Sequence, residues 1–403
     1  MHAILIALSA ALFAAVAAPA YALETPKLKP AAQFLGPLMQ GSNYKVKPQA
    51  RTDGIMRIFD VETSYGPFQF SGVDFTVMRL RELEAVAALE KMSQSESFMK
   101  ALGQAAFAPI QFGANLITNP VGTIQGSMSG VGNMLDRATS GLANTGVNRD
   151  PFFESLLGVS DTQRQLAVEL GVDPYSDFPP LAARLKQMAS AMAGGKLPVK
   201  VGLSLVPGGV GLAVSSASTI DSVKDTLRDK TAAQVVSDVR GILQPLGVSE
   251  ETCNLLFKNP HYTPTDLLLM ARALQRINTS NTEFYVAYAA AAGGRDEAFY
   301  QRRRAELLAS RRGEIGGIDT FFSTKGQVLT LTPDNVVVAA FPFDDFAWTA
   351  TPERAFKAAT ADLRQGDTAK FSRVFATSGA VTPMATAELQ KLGWKVVKLK
   401  PVR

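Results

Sequence analysis

Thirty-five consecutive residues without a charge, Ala101 to Leu135, set the tightest limit on what this chain can fold into. Within them Gly122, Gly126 and Gly130 recur at every fourth position. On a helix that spacing makes one flat stripe, because residues four apart lie above one another. Ile124, Met128, Val131 and Leu135 step by four, three and four, and fall on the opposite side. Such a helix has a flat face and a bulky face, and both need partners. Each glycine destabilises a helix by about 1 kcal/mol relative to alanine, so close packing has to recover about 3 kcal/mol. Water on the flat face recovers none of it. A dry helix pair is therefore predicted, with Gly122, Gly126 and Gly130 as packing residues.

Two other readings of the stretch fit less well. A dinucleotide-binding turn needs a third glycine where Leu135 stands, and a phosphate loop needs a Gly-Lys-Ser/Thr run that is missing. A membrane span needs about twenty apolar residues, and Pro109, Asn115, Asn119, Pro120 and Gln125 interrupt every such window. A second uncharged run, Val201 to Ile220, is split by Pro207-Gly208-Gly209 and diluted by serines. Reversible association with a membrane surface is the competing expectation for both runs.

Residues 1–22 read as a secretory signal peptide. An apolar run from Ala3 to Ala18 leads to Ala20-Tyr21-Ala22, with small residues at the two positions a signal peptidase inspects. The leader lacks the usual Lys or Arg ahead of its apolar run, and no cysteine follows it to carry a lipid. Export to the periplasm or beyond the cell is the expectation. An oxidising compartment permits disulfides, yet Cys253 is the only cysteine, so none can close within the chain. In SEETCNLLF it is expected to be a buried small hydrophobe on a helix.

The periodicities give an α+β chain in three parts. Residues 23–100 hold a hairpin, 55–63 with 67–71 across Tyr65-Gly66-Pro67, and then a helix carrying Leu80, Leu83, Val86, Leu89 and Met92. Residues 101–318 are mainly helical. Ser160 with Gln163 has the form of a capping box, and Thr263-Pro264, Thr351-Pro352 and Thr382-Pro383 read as helix starts. Residues 319–403 run β-β-α-β-α-β, a small α/β domain with parallel crossovers.

Charge and chemistry narrow the function classes. The net charge of +5 sits mostly in 321–403, with 11 basic and 7 acidic residues, too mild a bias for nucleic acid. The densest basic segment, YQRRRAELLASRR, carries Arg302, Arg303, Arg304 and Arg311. It reads either as a solvated face paired with Glu297, Glu306 and Glu314 or as a contact for anionic lipid headgroups. One histidine, His261, follows the leader, so histidine metal clusters are excluded, and no metal or cofactor is expected. Weak catalytic candidates are Asp344 and Asp345 after a predicted strand, and Ser378 in the next strand-to-helix loop. Neighbouring aspartates on an extended segment point to opposite sides, which makes them poor acid/base partners. The expectation is a non-catalytic envelope protein that contacts another envelope protein, itself, or an anionic membrane surface. The alternative is a periplasmic hydrolase or small-ligand binder using the C-terminal domain.

Overall fold

A computed structural model describes residues 23–102, 130–139, 158–199 and 218–401. The leader, Gly122, Gly126 and most of both uncharged runs lie outside the described residues. The architecture is α+β, with strands at both ends and helices between them.

An antiparallel sheet opens the fold: β1 (Lys29–Pro30), a short helix α1 (Ala32–Leu35), β2 (Tyr44–Val46), β3 (Gln49–Thr52), β4 (Arg57–Thr63) and β5 (Gly66–Ser71). Strand β4 is central. β5 pairs along one side, from Ile58↔Ser71 to Thr63↔Gly66, and β2 and β3 share the other. The hairpin predicted from alternation is present, and Gly66 supplies the positive φ its turn requires. Phe59, Val61, Phe68 and Phe70 are buried and form one core with α2 (Val73–Gln94) and, later in the chain, Phe178. Rings 68 and 178 meet edge-on at 5.3 Å.

The helical segment comprises α3 (Glu96–Leu102), α4 (Val131–Thr139), α5 (Asp161–Glu169), α6 (Pro179–Gly194), α7 (Ser218–Asp229), α8 (Ala232–Leu243), α9 (Glu250–Lys258), α10 (Pro264–Ile277), α11 (Thr282–Ala290) and α12 (Arg295–Arg311). Ser160, Thr231, Ser249 and Thr263 each accept the backbone N–H three residues on, which satisfies a donor the helix cannot. At the start of α8, Thr231 and Gln234 form a reciprocal capping box. Among the described residues no helix is long and apolar enough to cross a membrane.

A second sheet closes the chain. It contains β6 (Thr320–Thr324), β7 (Gln327–Leu331), β8 (Val336–Phe341), β10 (Ser372–Thr377) and β12 (Trp394–Lys398), in the order β12-β10-β8-β7-β6. The first three in that order run parallel, and β8, β7 and β6 are antiparallel neighbours. A separate short pair joins β9 (Asp345–Phe346) to β11 (Ala380–Val381). Helices α13 (Ala350–Leu363) and α14 (Pro383–Lys391) are the crossovers. Strand β6 adds an antiparallel hairpin to the predicted order. Thr382 caps α14 as its Thr-Pro pair predicts. Thr351 does not cap α13: that helix starts two residues earlier than the Thr-Pro pair predicts, at Ala350, and the Thr351 hydroxyl donates to Asp136 at 2.9 Å.

The predicted boundary near residue 319 does not separate two cores. Val338 and Ala340 of β8 join the core of helices α7 to α12, while Val337, Ala339 and Phe341 face the opposite core with α4, α13 and α14. Alternation along one strand thus fills two layers. Helix α12 reaches all three cores. Phe299 enters the N-terminal core, Tyr300 the α13/α14 core, and Ala305, Leu307 and Leu308 the helical core.

Candidate functional site: the cleft beside the central helix

Helix α12 explains why its arginines are not a single surface. Consecutive positions on a helix are about 100° apart, so Arg302, Arg303 and Arg304 leave in three directions. Arg304 is 1% exposed. Its guanidinium donates to the Ala340 carbonyl at 3.1 Å and to the Val328 carbonyl, and stands 4.4 Å from the Phe341 ring centroid. It therefore faces protein and not a lipid surface. Arg302 bridges Asp266 and Glu306 and lies 4.3 Å over the Phe299 ring. Arg303 holds Asp74 and Glu306. Arg311 pairs with Glu314 at 3.3 Å and donates to the carbonyls of Lys400 and Pro401. The pairings with Glu306 and Glu314 match the charge pattern. Glu297 instead takes Arg137 of α4, at 2.5 Å.

A buried ion network continues from this helix. Arg79 of α2 bonds Glu82 at 2.8 Å and Asp177 at 2.7 Å; Arg295 bonds Asp177 at 3.0 Å and Asp266 at 2.9 Å. Burial pushes the Asp177 carboxyl up, but Arg79 and Arg295 pull it down further, to about 2. Glu82 is driven up by burial more than its partner Arg79 lowers it.

The cleft itself lies where α2, α12 and the segment after β8 meet, and its interior space is about 20 Å³, the scale of one water molecule. Met56, Phe75 and Phe299 form its apolar wall; Asp74, Asp296 and Asp344 bring carboxyls to it. Gly72 precedes α2 with φ +96 and offers no capping side chain. Asp344 does that work from the other end of the chain. Its Oδ2 accepts the N–H of Val73 at 3.0 Å and of Arg57 at 2.8 Å. Asp345 points the other way, accepting Lys29 Nζ at 2.7 Å and Arg57 Nε. Both aspartates also donate their backbone N–H to the Ile55 carbonyl, each at 3.1 Å. The opposite-side geometry expected of neighbours is what allows one dipeptide to bind two partners.

Burial lifts both cleft aspartates that lack a cationic partner among the described residues. Asp344 is raised to about 8 by burial, with Asp74 and Asp345 adding to the rise and the N–H groups of Arg57 and Val73 opposing it. Asp296 is also raised to about 8, by burial and then by the neighbouring Glu297. Nothing in the residue pattern singles out Asp296. Acidic residues in a first helical turn are ordinary, and only the packing of α2 and Phe299 over it distinguishes this one.

The remaining candidates are dispersed. Ser378 is half-buried on the turn between β10 and β11 and does not line the cleft. That turn packs tightly: a Cβ on Gly379 would stand 2.6 Å from the Asp344 carbonyl carbon and would also meet the Phe343 oxygen. Cys253 is fully buried on α9, as expected, and burial raises its thiol. His261 is half-buried after α9, its N–H donating to Asn259. Gly130 is not inside a helix: its carbonyl accepts Met134 N at the start of α4, and a Cβ there would meet Asp53 at an ordinary 3.6 Å. The bulky side of α4 does pack, with Val131, Met134 and Leu135 buried. Among the described residues no group of three or more His, Cys, Asp or Glu is placed to hold a metal ion. No family model, curated protein or solved structure matches this chain.

Proposed function

We propose that the chain is an exported cell-envelope protein that works through contacts, with another envelope protein, itself or a membrane surface, and not by catalysis. One observation supports the non-catalytic part. The two carboxylates best placed to act, Asp344 and Asp345, are committed to joining the first sheet to the last, through Arg57, Val73 and Lys29. A general acid or base has to reach a substrate proton, and one that caps a helix across the fold is constrained against it. Export rests on the apolar leader and its Ala20-Tyr21-Ala22 end. Fractionation of the native host followed by crosslinking tests both parts. The proposal expects a periplasmic or extracellular protein beginning at Leu23 and crosslinked to a partner or to itself. A cytosolic protein retaining residues 1–22 would overturn it.

A second reading, a small-ligand binder, is favoured by the cleft, where Asp296 and Asp344 converge beside Phe75 and Phe299. Asp296→Asn tests it, because Asn keeps the acceptor for the Glu297 N–H. If the cleft serves a ligand, that variant loses it while keeping its fold.

A further inference from the structure

Two large apolar side chains stay exposed on neighbouring helices: Leu255 on α9, 54% exposed, and Phe284 on α11, 42% exposed. The helices run side by side in the same direction. At their starts Glu283 accepts the Ser249 hydroxyl at 2.8 Å and the Thr252 hydroxyl at 2.5 Å. At their ends Asn259 Nδ2 donates to the carbonyls of Ala290 at 3.0 Å and Ala292 at 2.8 Å. Both bury one side in the same helical core, Cys253 and Leu256 from α9, Val286 and Ala289 from α11. Their other sides therefore point outward together. On α11 that side is Phe284, Ala287 and, just past the helix, Ala291, all exposed and at helical spacing. On α9 it is Glu251, Leu255 and Lys258, also exposed and at helical spacing.

The two charges flanking Leu255 decide what fits there. Glu251 and Lys258 make no ion pair among the described residues, and two turns of helix, about 10 Å, keep them from meeting each other. A copy of α9 laid antiparallel over the first, about a two-fold axis near Leu255, reverses their order. It sets the second copy's Lys258 over Glu251 and its Glu251 over Lys258, with the two Leu255 side chains at the centre. The same axis crosses α11 near Ala287, because Thr252 is level with Glu283 and Asn259 with Ala290. Phe284 then lies over the second copy's Ala291, a large side chain against a small one. An anionic membrane, by contrast, repels Glu251 as much as it attracts Lys258.

We propose that the outward face of α9 and α11 is a symmetric docking surface for a second copy of this chain, with Leu255 and Phe284 as its apolar contacts and Glu251 and Lys258 setting the register. Two nine-residue helices side by side present about 13 Å by 20 Å, the small end of specific interfaces. The dimer is expected to dissociate on the order of tens of micromolar. Self-association through this face rests on the reading that the protein works through contacts, and it names the partner.

Sedimentation velocity on the full chain, from about 1 to about 200 μM, tests the surface. The parent is expected to pass from monomer to dimer across that range. Leu255→Glu and Phe284→Glu, both at exposed positions, are expected to keep the parent's circular dichroism and to stay monomeric. Glu251→Lys makes both flanking pairs repulsive and is expected to weaken the dimer about tenfold. Adding Lys258→Glu to it is expected to restore the dimer, which damage to the fold would not do. A parent that stays monomeric, a folded Leu255→Glu protein that dimerises like the parent, or a charge-swapped double variant no tighter than Glu251→Lys overturns the surface. A monomeric parent that floats with anionic vesicles overturns it too, and assigns the face to a membrane. A monomer that still crosslinks to another envelope protein in its host keeps the contact reading and loses only this surface.

Discussion

Replacing Arg304 with methionine separates a core arginine from a surface one. The stem of Arg304 crosses from α12 to the second sheet, and its head bonds carbonyls on two adjacent strands, Val328 on β7 and Ala340 on β8. Methionine keeps an unbranched stem and deletes both donations. Each buried carbonyl left short of a partner costs about 1–3 kcal/mol. Losing a desolvated cation over the Phe341 ring adds up to about 2 kcal/mol. In the other direction, the folded protein no longer has to hold a buried charge without an acid partner, which offsets part of the loss. The net expectation is about 2–4 kcal/mol of destabilisation for Arg304→Met, and about 3–5 kcal/mol for Arg304→Ala, which also leaves a cavity. By contrast, Arg311→Gln should lie within about 1 kcal/mol of the parent, its partners being near the surface. Urea unfolding followed by tryptophan fluorescence suits the measurement, since Trp348 and Trp394 are both buried in the core beside the second sheet. An Arg304→Met protein within about 0.5 kcal/mol of the parent would refute the core assignment and restore the solvated reading of the whole basic segment.

Three further outcomes are expected. Asp177 has a folded value near 2, below its unfolded one, so its stabilisation is present above the ordinary carboxylate range and is lost as pH falls toward 2; Asp177→Asn should cost about 2 kcal/mol at pH 7, with the gap closing near pH 2 in acid-titrated melts. Asp296 has the opposite sign: its folded value, about 8, lies above the unfolded one, so ionising it erodes stability as pH rises from about 4 to 8. Asp296→Asn should therefore melt with the parent at pH 4 and higher than it at pH 9, and parallel melting curves across that range would refute the assignment. Gly379→Ala places a Cβ against backbone at Phe343 and Asp344 and should lower or abolish the melting transition, whereas Gly366→Ala, with φ +71 but open space, should cost only about 1–2 kcal/mol.

Local structure was legible in the sequence wherever one physical rule acted alone. The β4–β5 hairpin follows from alternation plus one turn, and Thr263 and Thr382 cap because hydroxyl and proline act on the same helix end. The failures come from competition. Thr351 has the same dipeptide, but Asp136 of a distant helix takes its hydroxyl. Most of the site was not legible. Three successive arginines look like a patch in one dimension, and a helix sends them to a cleft, an ion network and a sheet. Asp344 and Asp345 were visible as an odd pair, but their partners lie 271 to 316 residues away, beyond any pattern in the chain. The stripe of Gly122, Gly126 and Gly130 falls mostly outside the described residues, and the one glycine within them precedes its helix.

The stitching of Asp344 and Asp345 to the 55–57 turn bears on how the molecule is made. Glu24 adds a second suture, accepting Trp348 N and the Thr382 hydroxyl at 2.6 Å each. The earliest strands synthesised thus wait for residues near the end of the chain before their charges are matched and their first long helix is capped. Loop closures of this span are slow, and a nascent polypeptide lacking its last sixty residues is held short of its native state. Lateness of this kind makes a carboxy-terminal truncation a lesion of the amino-terminal sheet.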